Sequence, residues 1–392
     1  MEPFRMTRAV HGGRDPRDGG PVVPPIYQSA MFAARTLEEQ AELSTTDRFY
    51  MRYDSPNFRS VERVLADLEE TEDAVVFGSG MAAISTVFLS LLEVGDHVIA
   101  LRDLYGGTVE FLDHHLKRFG MSLTYVDAVE PTHLAEAVQP RTRLVYVESP
   151  SNPLLRLVDL ESMARFCREH RLLSVIDNTF ASPVNQRPLR LGIDVSLHSG
   201  TKYLSGHSDV ICGAVCGSRT VMARVREGRR DFGGILDPHA VFLLQRGLKT
   251  LALRVERQSQ SALTLATYLQ SRQEIQTVHY PFLDSHPQHA LARQQMAGGG
   301  GMLSFELTSG LNATRVFTES LKSFTLAGSL GGVESLVTVP AITTHGRLSP
   351  ERRAAMGISD GLIRLSVGIE DVEELQADLD QAFQRVADSR VA

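Results

Sequence analysis

From about residue 58 to residue 217 the sequence alternates helical apolar periods with short apolar runs, and this alternation restricts the chain to few folds. The runs are Ala74–Phe77, His97–Leu101, Ser122–Val126, Leu144–Glu148, Leu172–Asp177, Val195–His198 and Val210–Cys216. Each has the length of a strand, and most are separated by enough residues for a crossover helix. Strands joined in this way pair in parallel and need helices on both faces. The expected fold class is therefore α/β, with a mainly parallel seven-stranded sheet in a large domain. Near Asp237-Pro238 an amphipathic stretch begins and runs to about Arg272, which predicts a long helix leading out of that domain. A smaller α/β unit follows, with strands expected at Thr277–Tyr280, Met302–Leu307, Leu336–Val339 and Leu362–Val367 and helices at Pro287–Met296, Ala313–Leu321 and Val372–Val386. The first 55 residues are rich in Gly and Pro, with Gly12-Gly13, Gly19-Gly20-Pro21 and Pro24-Pro25 interrupting any period. They predict an extended arm with one short helix near Thr36–Leu43. The division that results is 1–55, 56–245 and 246–392.

Composition removes several classes of function. The 40 Lys and Arg residues against 47 Asp and Glu leave a formal net charge of −7, which offers no cationic surface for nucleic acid or anionic lipid. The three cysteines, Cys167, Cys212 and Cys216, are too few and too unevenly spaced for a disulfide framework, so a reducing cytoplasm is expected. Cys212 and Cys216 lie in an apolar run without a second pair of ligands, and they predict buried thiols in place of a metal site. The uncharged stretch Ala74–Leu92 contains Gly78, Ser79, Gly80, Ser85, Thr86 and Ser90, which suits a strand, a turn and a buried helix better than a membrane span. No secretory signal is expected in Met1–Asp15.

The chain has four lysines, Lys117, Lys202, Lys249 and Lys322. Three occupy bland settings: Lys117 near a helix C-terminus, Lys249 on a long helix and Lys322 in a turn after one. Lys202 falls in His198-Ser-Gly-Thr-Lys-Tyr-Leu-Ser-Gly-His207, just past a strand end, where ligands bind in α/β sheets. Other strand ends carry complementary groups. Ile176-Asp177-Asn178-Thr179 supplies a carboxylate able to hold a pyridinium nitrogen protonated. Phe77-Gly78-Ser79-Gly80-Met81 precedes a helix whose N-terminal amides suit a phosphate. Arg102-Asp103-Leu104-Tyr105-Gly106-Gly107 presents a ring that can stack on a flat heterocycle. Phosphate cradle, aromatic plate, carboxylate and lysine are together what pyridoxal 5'-phosphate (PLP) requires.

At these residues the chain resembles the sulfur amino-acid enzymes of the cystathionine γ-synthase, cystathionine γ-lyase and methionine γ-lyase group. The resemblance rests on Tyr50-Met-Arg52, Phe77-Gly-Ser-Gly-Met81, Tyr105-Gly-Gly-Thr108, Glu148-Ser-Pro-Ser-Asn-Pro153, Asp177-Asn-Thr179, Ser199-Gly-Thr-Lys202, Arg246-Gly-Leu-Lys-Thr250, Ser329-Leu-Gly-Gly-Val-Glu-Ser335 and Ile363-Arg-Leu-Ser-Val-Gly368. It implies the fold-type I architecture of PLP-dependent transferases. It also implies that Lys202 forms the Schiff base, that Asp177 pairs with the pyridine nitrogen and that Tyr105 stacks on the ring. Gly80, Met81, Ser199 and Thr201 would bind the phosphate, with Tyr50 and Arg52 contributed by a neighbouring subunit. Arg364 would clamp the substrate carboxylate near Ser329 and Asn152. The working unit implied is a homotetramer built as a dimer of dimers.

Three places depart from the group's pattern. Ser55-Pro56-Asn57 replaces the usual Asn-Pro-Thr, and Gly107 stands where methionine γ-lyases often have cysteine. Members that handle cystathionine usually carry an acid just before the arm tyrosine and an arginine five residues after the stacking tyrosine; here those places hold Phe49 and Glu110. The expectation that follows is γ-elimination from methionine or homocysteine. Cystathionine cleavage and γ-replacement on an O-acylhomoserine are the alternatives, and an inactive scaffold is the alternative outside catalysis.

Overall fold

The computed structural model describes residues 6–12, 21–127, 130–344, 346 and 349–389. Its first long helix, Pro56–Glu69, shows how local sequence sets an element. Ser55 caps it by accepting from the Asn57 amide, Pro56 occupies the first turn, and Glu70 ends it in a left-handed conformation with φ 56°. Phe58, Val61, Val64, Leu65 and Leu68 recur at helical spacing and are all buried. They pack on strand β1 (Asp73–Phe77), whose residues alternate between two cores. Ala74 and Val76 face the Pro56–Glu69 side, while Val75 and Phe77 face the other.

The larger sheet continues with β2 (His97–Leu101), β3 (Ser122–Val126), β4 (Thr142–Glu148), β5 (Leu173–Asp177), β6 (Val195–Ser199) and β7 (Gly213–Gly217). Its seven strands lie in the order β1-β7-β6-β5-β4-β2-β3. Strands β2 to β6 pair in parallel, whereas β7 runs antiparallel to both β1 and β6. The mainly parallel seven-stranded sheet is thus the one expected. The second sheet comprises β8 (Ile275–His279), β9 (Met302–Leu307), β10 (Thr325–Leu326), β11 (Leu336–Thr338) and β12 (Leu362–Ser366) in the order β10-β11-β12-β9-β8. Phe305, Phe317, Ile363, Leu379 and Phe383 fill the core beneath it.

Several expectations are corrected. The single long helix expected from Pro238 to Arg272 is two, Pro238–Leu248 and Leu251–Gln270. The break has a packing cause. Gly247 approaches Ser205 so closely that a Cβ would lie 2.2 Å from the Ser205 carbonyl oxygen, and Arg254 donates to the Gly247 carbonyl at 2.8 Å. Lys249 therefore sits at this break and not within a continuous helix. The arm holds a second helix, Met6–His11, packed on the Pro56–Glu69 helix. Gly13, Gly19 and Gly20, read as interruptions in the arm, lie outside the described residues. Strand β7 begins at Gly213, three residues later than the apolar run suggests, because Cys212 bonds through its backbone to the Thr201 hydroxyl. Strand β10 and the short helix Pro350–Ala355 have no counterpart in the expected elements. All three cysteines are free and buried. Among the described residues, no helix is long and apolar enough to cross a membrane.

Candidate active site

Since β7 is antiparallel to both neighbours, β1 runs in the same direction as β6, and the carboxyl ends of β1, β2, β4, β5 and β6 share one sheet edge. Ligands of open α/β sheets bind at such edges. Lys202 lies three residues past the end of β6, in a turn closed by Lys202 N–H donating to the Ser199 carbonyl at 3.2 Å. Glycine at position 200 lets the turn lie against Cys212, whose Sγ would be within 2.6 Å of a Cβ there. The Lys202 Nζ donates to Ser329 Oγ at 2.7 Å. Burial lowers the pKa of this amine to about 8, helped by the positive charge of Arg364.

Arg364, on β12, is 4% exposed. It donates to Asn152 Oδ1 at 2.8 Å and to the Ser329 carbonyl at 3.2 Å, while its Nε is buried without a partner among the described residues. No carboxylate among the described residues forms an ion pair with it. Burial accordingly lowers its pKa to about 10. An ordinary structural salt bridge is therefore not what holds Arg364. Ser329 joins the two cations, with its hydroxyl on Lys202 and its carbonyl on Arg364, and it adopts φ 97°, unusual for a residue with a Cβ.

At the end of β5, Asp177 is buried and accepts from both the amide and the hydroxyl of Thr179. The Thr179 hydroxyl in turn accepts from the Ser199 amide at 2.8 Å, which ties the β5 and β6 ends together. Desolvation raises the Asp177 pKa against these bonds. Beside it on β4, Glu148 is pushed well above the usual carboxylate range by burial and then by Asp177. The Glu148 carboxylate accepts from the Tyr105 amide at 2.8 Å and so anchors the turn that carries Tyr105. The Tyr105 ring passes so near Gly107 that a Cβ there would sit 2.6 Å from Cε1; the same Cβ would be 3.3 Å from Met81 Sδ.

Past β1, Ser79 caps the Gly80–Leu91 helix by accepting from the Ala82 amide at 3.0 Å. The amides of Gly80 and Met81 carry no hydrogen bond within the described residues, and a Cβ at Gly80 would lie 3.0 Å from Ser199 Cβ. This donor set fits PLP. Free helix N-terminal amides suit a phosphate, a buried carboxylate suits a pyridinium, and a lysine that is readily neutral suits a carbonyl.

A family model described as Cys/Met metabolism PLP-dependent enzyme matches residues 6–384. The chain belongs to this family. Its cofactor is PLP, and it is an enzyme of the carbon–sulfur lyase group. It is 44% identical over 391 residues to the L-methionine γ-lyase of Pseudomonas putida, covering 98% of each chain. It is 43% identical to the cystathionine β-lyase of Coxiella burnetii, covering 96% of this chain and 97% of the other. The crystal structure of cystathionine γ-lyase from Lactobacillus plantarum complexed with L-serine superposes with a TM-score of 0.92 at 41% identity, covering 97% of this chain and 99% of that one.

The fold brings Lys202, Ser329, Arg364 and Asn152 into one hydrogen-bonded chain, and the Thr179 hydroxyl links Asp177 to Ser199. Thr201 is adjacent, with its hydroxyl donating to the Cys212 carbonyl at 3.2 Å. Phe49, Tyr50 and Arg52 are not brought into this chain of contacts. Phe49 packs on Tyr53, Tyr50 bridges to Met31, and Arg52 donates to the Arg230 carbonyl at 2.6 Å. Sequence reasoning gave no role to Thr179 or Glu148. Their signal was position alone: Thr179 is two residues beyond a strand-end aspartate, and Glu148 is the last residue of a strand between two ligand-bearing ends.

Proposed function

We propose that this family member eliminates the γ-substituent of a small sulfur amino acid, L-methionine or L-homocysteine. One water is consumed, and 2-oxobutanoate and ammonia are released with methanethiol from methionine or hydrogen sulfide from homocysteine. The observation that carries the reading is Arg364, a buried guanidinium without a carboxylate partner among the described residues, set beside a lysine of lowered pKa. Such a fork is complementary to an α-carboxylate. The 44% identity to a protein named L-methionine γ-lyase supports sulfur at the γ-position.

Bound PLP supplies the conjugated ring that accepts the electrons left when the α-proton is removed. In this reading Lys202 holds the cofactor at rest and, once released, takes that proton; a pKa near 8 leaves enough neutral amine for the task. Asp177 keeps a proton on the ring nitrogen. Gly80, Met81, Ser199 and Thr201 bind the phosphate. Tyr105 stacks on the ring and delivers a proton to the departing sulfur, and Arg364 fixes the substrate, with Asn152 and the Ser329 carbonyl aligning its fork.

The proposed working form is a cytoplasmic homotetramer. Its 1–55 arm would complete a neighbour's site with Tyr50 and Arg52, while 56–245 bind the cofactor and 246–392 form the smaller domain. Support comes from the apolar surface the arm presents in the single chain, where Val22, Met31 and Leu37 are each more than 60% exposed. Phe49, carried beside Tyr50, would meet the thioether methyl.

The substrate assignment is tested by comparing methanethiol release from methionine with cysteine release from cystathionine at equal enzyme concentration. Cystathionine brings a second ammonium and carboxylate, and burying either without a partner costs about several kcal/mol. Neither Phe49 nor Glu110 answers that carboxylate with a positive charge. Higher kcat/KM on methionine or homocysteine is expected, and a clear preference for cystathionine would replace this reading with cystathionine γ-cleavage, the activity in the name of the 41% identical Lactobacillus plantarum protein.

A further inference from the structure

A second ionisable cluster lies behind the cofactor carboxylate, and none of the roles above uses it. Glu69 is the last residue of the Pro56–Glu69 helix and is fully buried. Its Oε1 accepts from His198 Nε2, from Ser196 Oγ at 3.0 Å and from Asn178 Nδ2 at 3.3 Å. Its Oε2 is buried without a partner among the described residues. Ser196 and His198 are alternate residues of β6, and Asn178 directly follows Asp177. One carboxylate thus gathers donors from the ends of both strands that carry Asp177 and Lys202.

A buried carboxylate is expensive unless its partners hold it. Here the partner with a chargeable ring is His198, which is 1% exposed. Strands β5 and β6 pair with Asp177 opposite Leu197, so His198 is one residue from the position facing Asp177. Its positive charge is among the influences that lower the Asp177 pKa against desolvation. The other ionisable groups acting on this region oppose ionisation or are silent. Tyr146 and Glu148 lie on β4, and Cys216 on β7 is a thiol whose pKa burial and Glu69 raise. The contacts of Asn178 extend the cluster: its Nδ2 also donates to the Gln186 carbonyl at 3.0 Å, and Gln186 Nε2 donates to Asn178 Oδ1 at 2.9 Å and to the Ser149 carbonyl at 3.0 Å. These bonds give the cluster a rigid frame.

We propose that Glu69 and His198 form a buried positioning pair that locks the β5 and β6 ends together and so holds the Asp177 carboxylate against the cofactor's ring nitrogen. Glu69 Oε1 ties His198 and Ser196 on β6 to Asn178, the residue after Asp177, so loss of either member of the pair loosens the strand end that carries Asp177. The proposal rests on the reading that Asp177 meets the ring nitrogen, and its test separates the two ideas.

The test reconstitutes the full-length wild-type enzyme and its Glu69→Gln, His198→Gln and Asp177→Asn variants with PLP labelled with ¹⁵N in the ring. The ring-nitrogen chemical shift and the PLP dissociation constant are then measured. His198→Gln replaces the fixed ring by a flexible amide that still offers Glu69 an N–H, so it remains decisive if Glu69→Gln does not fold. The expected result is a shift toward the unprotonated nitrogen in Asp177→Asn and a smaller shift in the same direction in His198→Gln and Glu69→Gln. The PLP dissociation constant of the latter two should rise roughly tenfold, as about 1.4 kcal/mol of lost positioning would give. If Asp177→Asn moves the nitrogen signal and neither paired variant does, the positioning role is overturned. If Asp177→Asn itself leaves the signal in place, the ring-nitrogen reading fails, and the pair's proposed purpose fails with it.

Discussion

Replacing Arg364 by methionine separates a substrate-binding guanidinium from a structural one, because the two roles predict opposite balances of activity and stability. Methionine keeps most of the side-chain length and removes the charge. On the stability side, the drop of the Arg364 pKa from 12.5 to about 10 corresponds to about 3 kcal/mol against the charged form, a cost the substitution removes. It also removes the bonds to Asn152 Oδ1 at 2.8 Å and to the Ser329 carbonyl at 3.2 Å, each worth about 1.5–3 kcal/mol. The two contributions nearly cancel, and the net loss should stay near about 2 kcal/mol or less. On the activity side, two charge-assisted bonds to a substrate carboxylate are lost, about 3–6 kcal/mol, or roughly 10²–10⁴ in kcat/KM. The assay pairs thermal unfolding under saturating PLP with steady-state kinetics on methionine. The expected outcome is a Tm within a few degrees of wild type and kcat/KM lower by about a thousandfold. Near-normal kcat/KM would refute the substrate role. A Tm loss of about four to six degrees would point to a structural ion, since breaking a buried salt bridge costs about 3–5 kcal/mol and a chain of this size loses roughly one degree per kcal/mol.

Capture of PLP by the apoenzyme needs a neutral Lys202, so its rate should climb with pH and level off above about 8. In Arg364→Met the curve should move to higher pH, because a positive neighbour that lowers the Lys202 pKa is gone; an unmoved curve would contradict that coupling. Gly107→Ala places a Cβ 2.6 Å from the Tyr105 ring, which is 46% exposed and must swing aside to make room. It should displace the ring and lower kcat by roughly tenfold or more, with a shifted absorbance spectrum for the bound cofactor; an unchanged spectrum and kcat would mean Tyr105 does not govern the ring. Mixing Arg52→Ala and Lys202→Ala subunits should restore part of the activity if the arm completes a neighbour's site. No recovery despite proven subunit exchange would count against the shared site.

Much of the fold was legible because strand periodicity and burial coincide. In β1 and β2 every apolar position of the sequence run is buried, so the expected and observed bounds agree closely. The failures occur where tertiary contacts override local pattern. Nothing near Gly247 in sequence reveals that the Ser205 backbone lies against it, so the helix break there could not be anticipated. The strand-end residues Lys202, Asp177 and Tyr105 stood out because each follows an apolar run and combines with small residues. Glu69 did not stand out. It sits at the end of an amphipathic helix, where a glutamate reads as solvated, and its burial appears only when β5 and β6 close over it. The same holds for Glu148, whose tie to the Tyr105 amide joins residues 43 apart in sequence.

The claim on which the account depends is that the constellation around Lys202 is where PLP is held. Borohydride reduction of the purified enzyme followed by peptide mapping tests it most directly. The account predicts loss of the yellow colour and a pyridoxyl group on the peptide carrying Lys202, with no label in Lys202→Ala. Recovery of the pyridoxyl group on Lys117, Lys249 or Lys322 would contradict it.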